Sequence, residues 1–442
     1  MIQRKDQAFI LNRITMAHKQ LPGFGVELPE ITFDGWLDWF VKIDNPVTFW
    51  RAQPTYILAA VVFLLGAAGN LIHAILNGGR LPYLWLTTVL HGIVVEIVTY
   101  NLDDIDNFWH SQTPVIFLGR RLPLHIIALY PVFIYHASVA VSKLKLPTWA
   151  EPFAVGLTVV LLDIPYDIVS VKFLHWTWHD TDPNIGDRHY WVPWNSYYFH
   201  SCFAASLTFW FHGWRRWLCS DKLRKWESSS VTMELACTVL SAILGMPGGI
   251  LLFLPLYHPL HDLAGVHSEV TFFMLFTIFL LISWTGDRTP TPDARPRSGV
   301  HTAEKGRSIL LLHLAVHYAL YLGLVIFCNP EEEVSIGLHE RIGPCNQTVP
   351  IHTVFGTVLS KRRYLCASDY DEDYFDFHCL PNGQAPSEDS YWYTACGTPF
   401  HNRAEYVAII GTICFLAFVV FRNMHFHSGS SIHQSETKAK RH

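Results

Sequence analysis

Long apolar segments alternate with short polar connections along the chain, and this pattern predicts a bundle of membrane-spanning helices. A helix needs about twenty consecutive apolar residues to cross the hydrocarbon core of a bilayer. Nine segments approach that length, and they cover residues 54–77, 83–99, 122–141, 149–174, 196–218, 232–257, 266–285, 309–328 and 406–421. The predicted fold class is all-α, a polytopic integral membrane helix bundle with about nine transmembrane helices and a multi-span core over residues 54–328.

The residues before the first predicted span form an N-terminal arm, residues 1–53. Within it, apolar side chains recur at helical spacing at Phe33, Trp36, Leu37, Phe40 and Val41. Such a short amphipathic helix is typical of a segment that lies in the membrane interface. Charged residues are scattered through the start of the arm, so no signal peptide is predicted there.

Composition supports a membrane protein, because 50% of the residues are hydrophobic, 14% are aromatic and only 16% are charged. The formal net charge is −5, which gives no indication of a nucleic-acid partner. The expected surroundings are the lipid bilayer.

Basic residues are concentrated in alternate connections between the predicted spans. They are Arg80, Lys143, Lys145, Arg215, Arg216, Lys222, Arg224, Lys225, Arg288, Arg295, Arg297, Lys305, Arg307, Lys438, Lys440 and Arg441. The positive-inside rule assigns these connections and the C-terminal tail, residues 426–442, to the cytosol. Nine spans then place the N-terminus on the opposite side, whereas the basic residues Arg4, Lys5, Arg13 and Lys19 favour the cytosol.

A long polar segment, residues 329–404, precedes the last predicted helix, residues 405–425. It contains the cysteines Cys345, Cys366, Cys379 and Cys396 and the only glycosylation sequon, which begins at Asn346. Two disulfides on an oxidising, lumenal or extracellular face are predicted, and all three pairings remain open. A metal-binding cysteine cluster is the alternative, but no CxxC pair occurs. These features indicate the eukaryotic secretory pathway, in the endoplasmic reticulum or plasma membrane, and the segment is a candidate surface for a protein partner.

Three carboxylates within the predicted spans are candidate functional groups. Glu96 lies near the non-cytosolic end of the second span, and Asp163 and Asp167 lie four residues apart, on one face of the fourth. Ionisable side chains within a membrane are costly and are often functional. The alternative is that each carboxylate only pairs with a neighbouring helix. Convergence of all three on one leaflet favours a polar cavity.

Histidines form two further groups on the same predicted side. His175 and His179 are four residues apart, and His258 and His261 are three apart, close to several aspartates. Such side chains could bind zinc, although no HExxH motif is present. No other cofactor is expected. A metal-assisted lipid hydrolase is therefore one functional hypothesis.

Sparse positions between residues 90 and 205 resemble the microbial membrane carotenoid-biosynthesis family that includes carotenoid hydratases. The matching positions are Glu96, Pro123, Asp163, Asp167, Trp176, Trp178, Val192, Pro193 and Asn195. The resemblance implies a helical membrane core and proton-transfer chemistry on an isoprenoid substrate.

The preferred hypothesis is an enzyme acting on an isoprenoid or other membrane lipid. Glu96, Asp163 and Asp167 would supply a carboxylic acid and a base, Trp176 and Trp178 would form aromatic walls, and the resemblance adds Asn195 to the site. A transporter or receptor with an outward-facing polar vestibule is a third hypothesis, from a different class.

Overall fold

The computed structural model describes residues 21–102, 105–219, 225–289 and 305–426. Nine long helices dominate these residues. They are α1 (Pro54–Asn77), α2 (Leu81–Tyr100), α3 (Leu124–Ser142), α4 (Glu151–Lys172), α5 (Trp194–Leu218), α6 (Val231–Leu263), α7 (Ser268–Asp287), α8 (Arg307–Phe327) and α9 (Arg403–Phe426). A proline in the first turn starts α1, α2 and α4, where the missing amide hydrogen costs no helical hydrogen bond. Gly78, with a φ of +66°, ends α1.

Eight of these helices are long and apolar enough to cross a membrane. The exception among the described helices is α5, which has 25 residues but carries many Trp, Tyr, His and Ser side chains. Apolar side chains on the outer surface, such as Leu65, Ile75, Leu251 and Phe415, are each more than half exposed. A lipid environment accounts for such a surface. The length and composition of these helices support the prediction of a multi-helix membrane protein.

Helices α3 and α4 occupy the centre of the bundle, because most of their residues are buried by the surrounding helices. The middle of α3 is a π-helical segment, Pro131–Tyr135, between two α-helical parts. A second π-helical segment, Pro259–Leu263, ends α6. Such segments alter the direction in which the following side chains point.

The polar connections gather at two ends of the bundle. The end that carries the disulfides contains short strands from several connections: β1 (Val41–Ile43), β2 (Phe108–His110), β3 (Val115–Phe117), β4 (Leu122–Pro123), β5 (Trp176–Trp178), β6 (Arg188–His189) and β7 (Val192–Pro193). Strand β1 pairs with β3, and β2 pairs with β5. The described part of the N-terminal arm therefore lies at the disulfide end of the bundle. The basic residues of positions 1–20 lie outside the described residues.

The predicted helix of the arm is shorter than its apolar pattern indicates. Of residues 33–41, only Trp36–Phe40 is helical, and Val41 already belongs to β1, where it pairs with Phe117. A second short helix, Pro46–Ala52, follows β1. Trp36 and Leu37 are exposed. Pairing of β1 with β3, in the α2–α3 connection, therefore ends the helix before its apolar pattern does. The exposed side chains of Trp36 and Leu37 still form an apolar surface at this end of the bundle.

The cysteine-containing segment, residues 329–404, folds into strands and forms a β-structured insert beside the helix bundle. The strands are β8 (Val334–Leu338), β9 (Thr348–His352), β10 (Val358–Arg362), β11 (Phe375–Asp376) and β12 (Trp392–Gly397). Strand β12 lies between β11 and β8 in an antiparallel sheet, and β9 and β10 form a hairpin. We call this unit the ectodomain.

Two disulfides join the ectodomain, Cys345–Cys366 and Cys379–Cys396. The predicted bonds are confirmed, with one of the three open pairings. Asn346 is exposed beside the first disulfide, and its glycosylation stays a prediction. The last helix begins at Arg403, and residues 427–442 of the predicted tail lie outside the described residues.

Candidate active site in the helix bundle

Asp163 and Asp167 lie on one face of α4 and are fully buried. The facing helix, α5, presents Ser196 and His200, which are also one turn apart. The Ser196 hydroxyl donates a hydrogen bond of 2.7 Å to Asp167 Oδ2, and His200 Nε2 lies 3.3 Å from Asp163 Oδ1. A close approach of the two helices permits these contacts, because a Cβ at Gly156 would lie 2.5 Å from the Ser201 carbonyl oxygen.

The carboxylate pair has few partners for its charge. Three of its four oxygens, both of Asp163 and Oδ1 of Asp167, accept no hydrogen bond from the described residues. Nor does any Lys or Arg nitrogen in the described part of the chain lie within 4.0 Å of either carboxylate. The His200 contact is close but lacks hydrogen-bond geometry. Two ionised carboxylates here would be costly, so the site requires either a shared proton or a bound cation.

The backbone of α4 remains helical through Pro165, which lies between the two aspartates. Pro165 has no amide hydrogen, so it cannot donate to the Leu161 carbonyl. The Tyr318 hydroxyl from α8 donates to that carbonyl instead, at 3.0 Å, and His317 Nε2 lies 3.1 Å from the next carbonyl, that of Leu162. Helix α8 therefore supports the segment that positions the carboxylates.

Glu96 from α2 is buried near this pair but forms a separate contact. The Tyr130 hydroxyl of α3 donates a hydrogen bond of 2.7 Å to Glu96 Oε1. Tyr130 also interacts electrostatically with Asp163, so Glu96 and Asp163 share this neighbour. Glu96 forms no hydrogen bond with either aspartate among the described residues.

Aromatic rings connect the disulfide end to the aspartate pair. Trp176 on β5 stacks on His110 of β2 at a centroid distance of 5.4 Å and on Tyr166 of α4 at 5.9 Å. Tyr166 contacts Phe133, whose ring centre lies 5.9 Å from that of His200. Trp176 is thus the outer end of an aromatic series that reaches the site.

Trp178 and Asn195 lie farther toward the ectodomain. The Trp178 amide donates a hydrogen bond of 3.1 Å to the Tyr374 hydroxyl, which in turn donates to the Trp178 carbonyl. Asn195 Nδ2 donates to the Asn184 carbonyl at 2.6 Å. Asn195 therefore holds the α4–α5 connection, and its neighbour Ser196 contacts the carboxylate.

The four histidines predicted as zinc ligands have other partners. His175 Nε2 lies 2.9 Å from the Thr55 hydroxyl, and burial lowers the pKa of His175 well below its ordinary value. His179 Nδ1 lies 3.6 Å from Glu372 Oε1. His258 and His261 share Asp262 at 2.5 and 2.8 Å.

Two clusters within the described residues bring three metal-binding atoms within 4.8 Å of one another. One is Asp163, Asp167 and His200. The other is Asp376, His378 and Cys396, but the Cys396 sulfur is held in a disulfide and is not a thiolate ligand. The sequence analysis did not predict His200 as a site residue. The one pattern that indicates it is the four-residue spacing from Ser196, which places both side chains on the same polar face of α5.

A second buried charge cluster, which we call the paired cluster, lies at the opposite end of α4 and α5. It contains Arg80, Glu151, Glu234, Arg215 and Lys225. Arg80 Nε donates to Glu234 Oε2 at 2.8 Å, Arg215 Nε lies 3.2 Å from Glu234 Oε1, and Lys225 pairs with Glu151. The sequence pattern placed Arg80 in a cytosolic connection, whereas its side chain is fully buried.

The chain belongs to the DUF7802 family, a domain of unknown function, whose family model matches residues 27–426. That range includes all nine long helices and the ectodomain, so both are parts of one family unit. No match was found among curated proteins or among solved structures.

Proposed function

We propose that this DUF7802 protein is an integral membrane enzyme that acts on an isoprenoid or other lipid substrate by acid–base chemistry at Asp163 and Asp167. The observation that carries the proposal is a buried carboxylate pair with no Lys or Arg nitrogen within 4.0 Å among the described residues. Such a pair holds one proton between two groups, which supplies an acid and a base at the same place. Carboxylates that only join helices are usually paired.

The reaction we propose is the addition of water to an alkene, or its reverse. The protonated aspartate donates its proton to one alkene carbon, and the aromatic faces of Tyr166 and Phe133 stabilise the positive charge on the other. Water then forms a bond to the cationic carbon. The ionised aspartate, or His200, accepts the proton that this water loses, so the site returns to its starting charge.

Topology supports access from the non-cytosolic leaflet. We propose that all nine long helices cross the membrane, including the more polar α5; the connections rich in Lys and Arg then face the cytosol together with the C-terminus, and the ectodomain faces the lumen or the cell exterior. The disulfides suit an oxidising compartment of the eukaryotic secretory pathway. Asp167 is the carboxylate nearer to the disulfide end of α4, so a lipid from that leaflet would reach it first.

The proposal is tested by comparing lipid extracts of membranes that contain wild-type protein, Asp163→Asn, Asp167→Asn or His200→Gln. Thr158→Val is the matched control, since Thr158 lies on the same helix and its hydroxyl donates to the Ala154 carbonyl of that helix, away from the carboxylates. We expect a lipid that gains or loses one water with wild type and control, and loss of that change in both aspartate variants. Equal lipid profiles for wild type and the two folded aspartate variants would overturn the proposal.

A second candidate function is metal-assisted hydrolysis of a lipid. It is favoured by the three ligand atoms of Asp163, Asp167 and His200 within 4.8 Å. These residues would hold a divalent ion, which supplies an activated water for attack on an ester or amide. This function would be supported, in place of hydration, if purified wild-type protein contained one metal ion per chain and Asp163→Asn contained none.

A further inference from the structure

A group of five buried histidines lies in the bundle interior, apart from the residues of the proposed reaction. His73 comes from α1, His136 from α3, His313 and His317 from α8, and His425 from α9. The other four rings all lie within electrostatic range of His136. Four separate helices thus direct imidazoles toward one region of the apolar core.

His136 is the centre of this histidine cluster and has no partner for its polar atoms. Both of its ring nitrogens are buried and make no hydrogen bond within the described part of the chain. Its ring instead contacts Phe421 and His425 of α9, at centroid distances of 5.1 and 5.7 Å. A buried polar group without a partner is costly, so its retention points to a missing ligand.

The backbone around the cluster makes room for the rings. His136 follows directly after the π-helical segment of α3, and π-helical segments often occur at functional sites. On α1, a Cβ at Gly66 would lie 2.1 Å from His313 Nε2, so only glycine permits this approach of α1 and α8. Two irregular features therefore serve the placement of His136 and His313.

We infer that the histidine cluster binds a transition-metal ion. Neutral imidazole is a preferred ligand of zinc, copper, iron and nickel. Protonation of several adjacent rings in an apolar core is unfavourable because the cations repel one another, which keeps the rings in the metal-binding form. The inferred site goes beyond the proposed chemistry at Asp163 and does not require it.

The ring spacing is wider than that of a preformed metal site. Imidazoles that bind one tetrahedral zinc ion, with Zn–N bonds of about 2.0–2.1 Å, have ring centres roughly 5 Å apart. The centres of His136 and His425 are 5.7 Å apart, and those of His313 and His317 are 6.1 Å apart. Among the described residues, no three nitrogens of the histidine cluster lie within 4.8 Å of one another, so binding requires the rings to rotate toward the ion. His317 Nε2 already contacts the Leu162 carbonyl, which leaves Nδ1 as its available ligand atom.

The first test measures metal content of the full-length protein purified in detergent, exposed to Zn²⁺ or Cu⁺ and then freed of loosely bound ions. We expect about one tightly bound ion per chain in the wild type, and loss of that ion in His136→Gln and His313→Gln. His91→Gln is the matched control, because His91 is a fully buried histidine of α2 that contacts the Ala242 carbonyl. Thermal unfolding of each variant checks that it is folded.

Three outcomes overturn the inference: a wild type that retains neither ion, a folded His136→Gln that retains as much metal as wild type, or loss of metal in Asp163→Asn alone. The last outcome would move the ion to the aspartate pair and leave the histidine cluster empty. If the histidine variants do not fold, X-ray absorption spectroscopy of the metal-loaded wild type identifies the atoms that coordinate the ion. At least three imidazole ligands support the inference, and a coordination shell dominated by carboxylate oxygens contradicts it.

Discussion

Helix α4 carries buried carboxylates at two levels, and the two differ in how their charge is balanced. Glu151, at the start of the helix, pairs with Lys225 and belongs to the cluster in which Arg80 and Arg215 hold Glu234. Asp163 and Asp167, about three turns farther along, have a serine and a histidine instead. The same pair of helices therefore builds one charge-compensated site and one uncompensated site.

This difference separates a structural role from a chemical one. A buried ion pair is costly to break, because either partner left alone is an uncompensated charge in an apolar environment. An unpaired carboxylate contributes no such attraction and raises the cost of folding, so its presence needs another explanation. We therefore propose that the paired cluster stabilises the fold and that Asp163 and Asp167 take part in the reaction.

The largest expected effect is on stability at the paired cluster. Arg80→Met removes the bond to Glu234 and the 2.9 Å bond to the Phe211 carbonyl. Loss of a buried charge partner costs about 3–5 kcal/mol, so we expect a fall of that size in the free energy of unfolding, measured by detergent-induced denaturation. Arg363→Met, on the exposed ectodomain surface, is the control and should unfold like wild type. An Arg80→Met protein as stable as the control would mean that the cluster does not hold the helices.

The opposite result is expected at the aspartate pair. Asp163→Asn removes an uncompensated carboxylate, so the free energy of unfolding should remain unchanged or rise by about 1 kcal/mol. Turnover of the lipid substrate should fall by about 10²–10⁴-fold, the usual loss when a general acid or base is removed. Stability and lipid conversion are measured on the same preparation. A loss of stability like that of Arg80→Met would make Asp163 a structural residue and remove the contrast between the two sites.

Helical periodicity was enough to predict one half of the candidate site. The four-residue spacing of Asp163 and Asp167 places both on one face, whatever surrounds the helix. His200 and Ser196 could not be matched to them from the sequence, because the match depends on the close approach of α5 at Gly156. Spacing within one helix is local information, whereas the facing helix is set by packing.

Charge patterns were less informative about burial. Arg80 belongs to a short basic connection, and only the fold shows that its guanidinium lies over the Phe211 ring, 3.9 Å from its centre, and bonds Glu234. Trp176 and Trp178 were both predicted as aromatic walls of the site, but pairing of β5 with β2 places Trp176 against Tyr166, whereas the Trp178 backbone bonds to Tyr374 of the ectodomain. In both cases, contacts between residues distant in sequence decide where the side chain points.

Glu333 of the ectodomain offers an intermediate case, with one partner and a smaller expected effect. Burial raises its pKa to about 8, although hydrogen bonds from the Thr55 hydroxyl and amide favour the ionised form. The folded protein therefore binds the proton of the Glu333 carboxyl more tightly than the unfolded chain does. Below the ordinary pKa of 4.5 the carboxyl is protonated in both states, and Glu333 does not lower the free energy of unfolding. Stability is then lost progressively as the pH rises toward about 8.

Glu333→Gln should remove that loss. We expect its melting temperature to match wild type at about pH 4 and to exceed wild type above about pH 8, because glutamine keeps a neutral side chain at every pH. Glu388→Gln, at an exposed ectodomain position, is the control and should follow the wild-type pH profile. Parallel melting profiles for wild type and Glu333→Gln would show that the Thr55 contacts compensate the carboxylate fully. Glu333 would then belong with the paired cluster, and burial without a Lys or Arg partner would no longer distinguish a chemical site from a structural one.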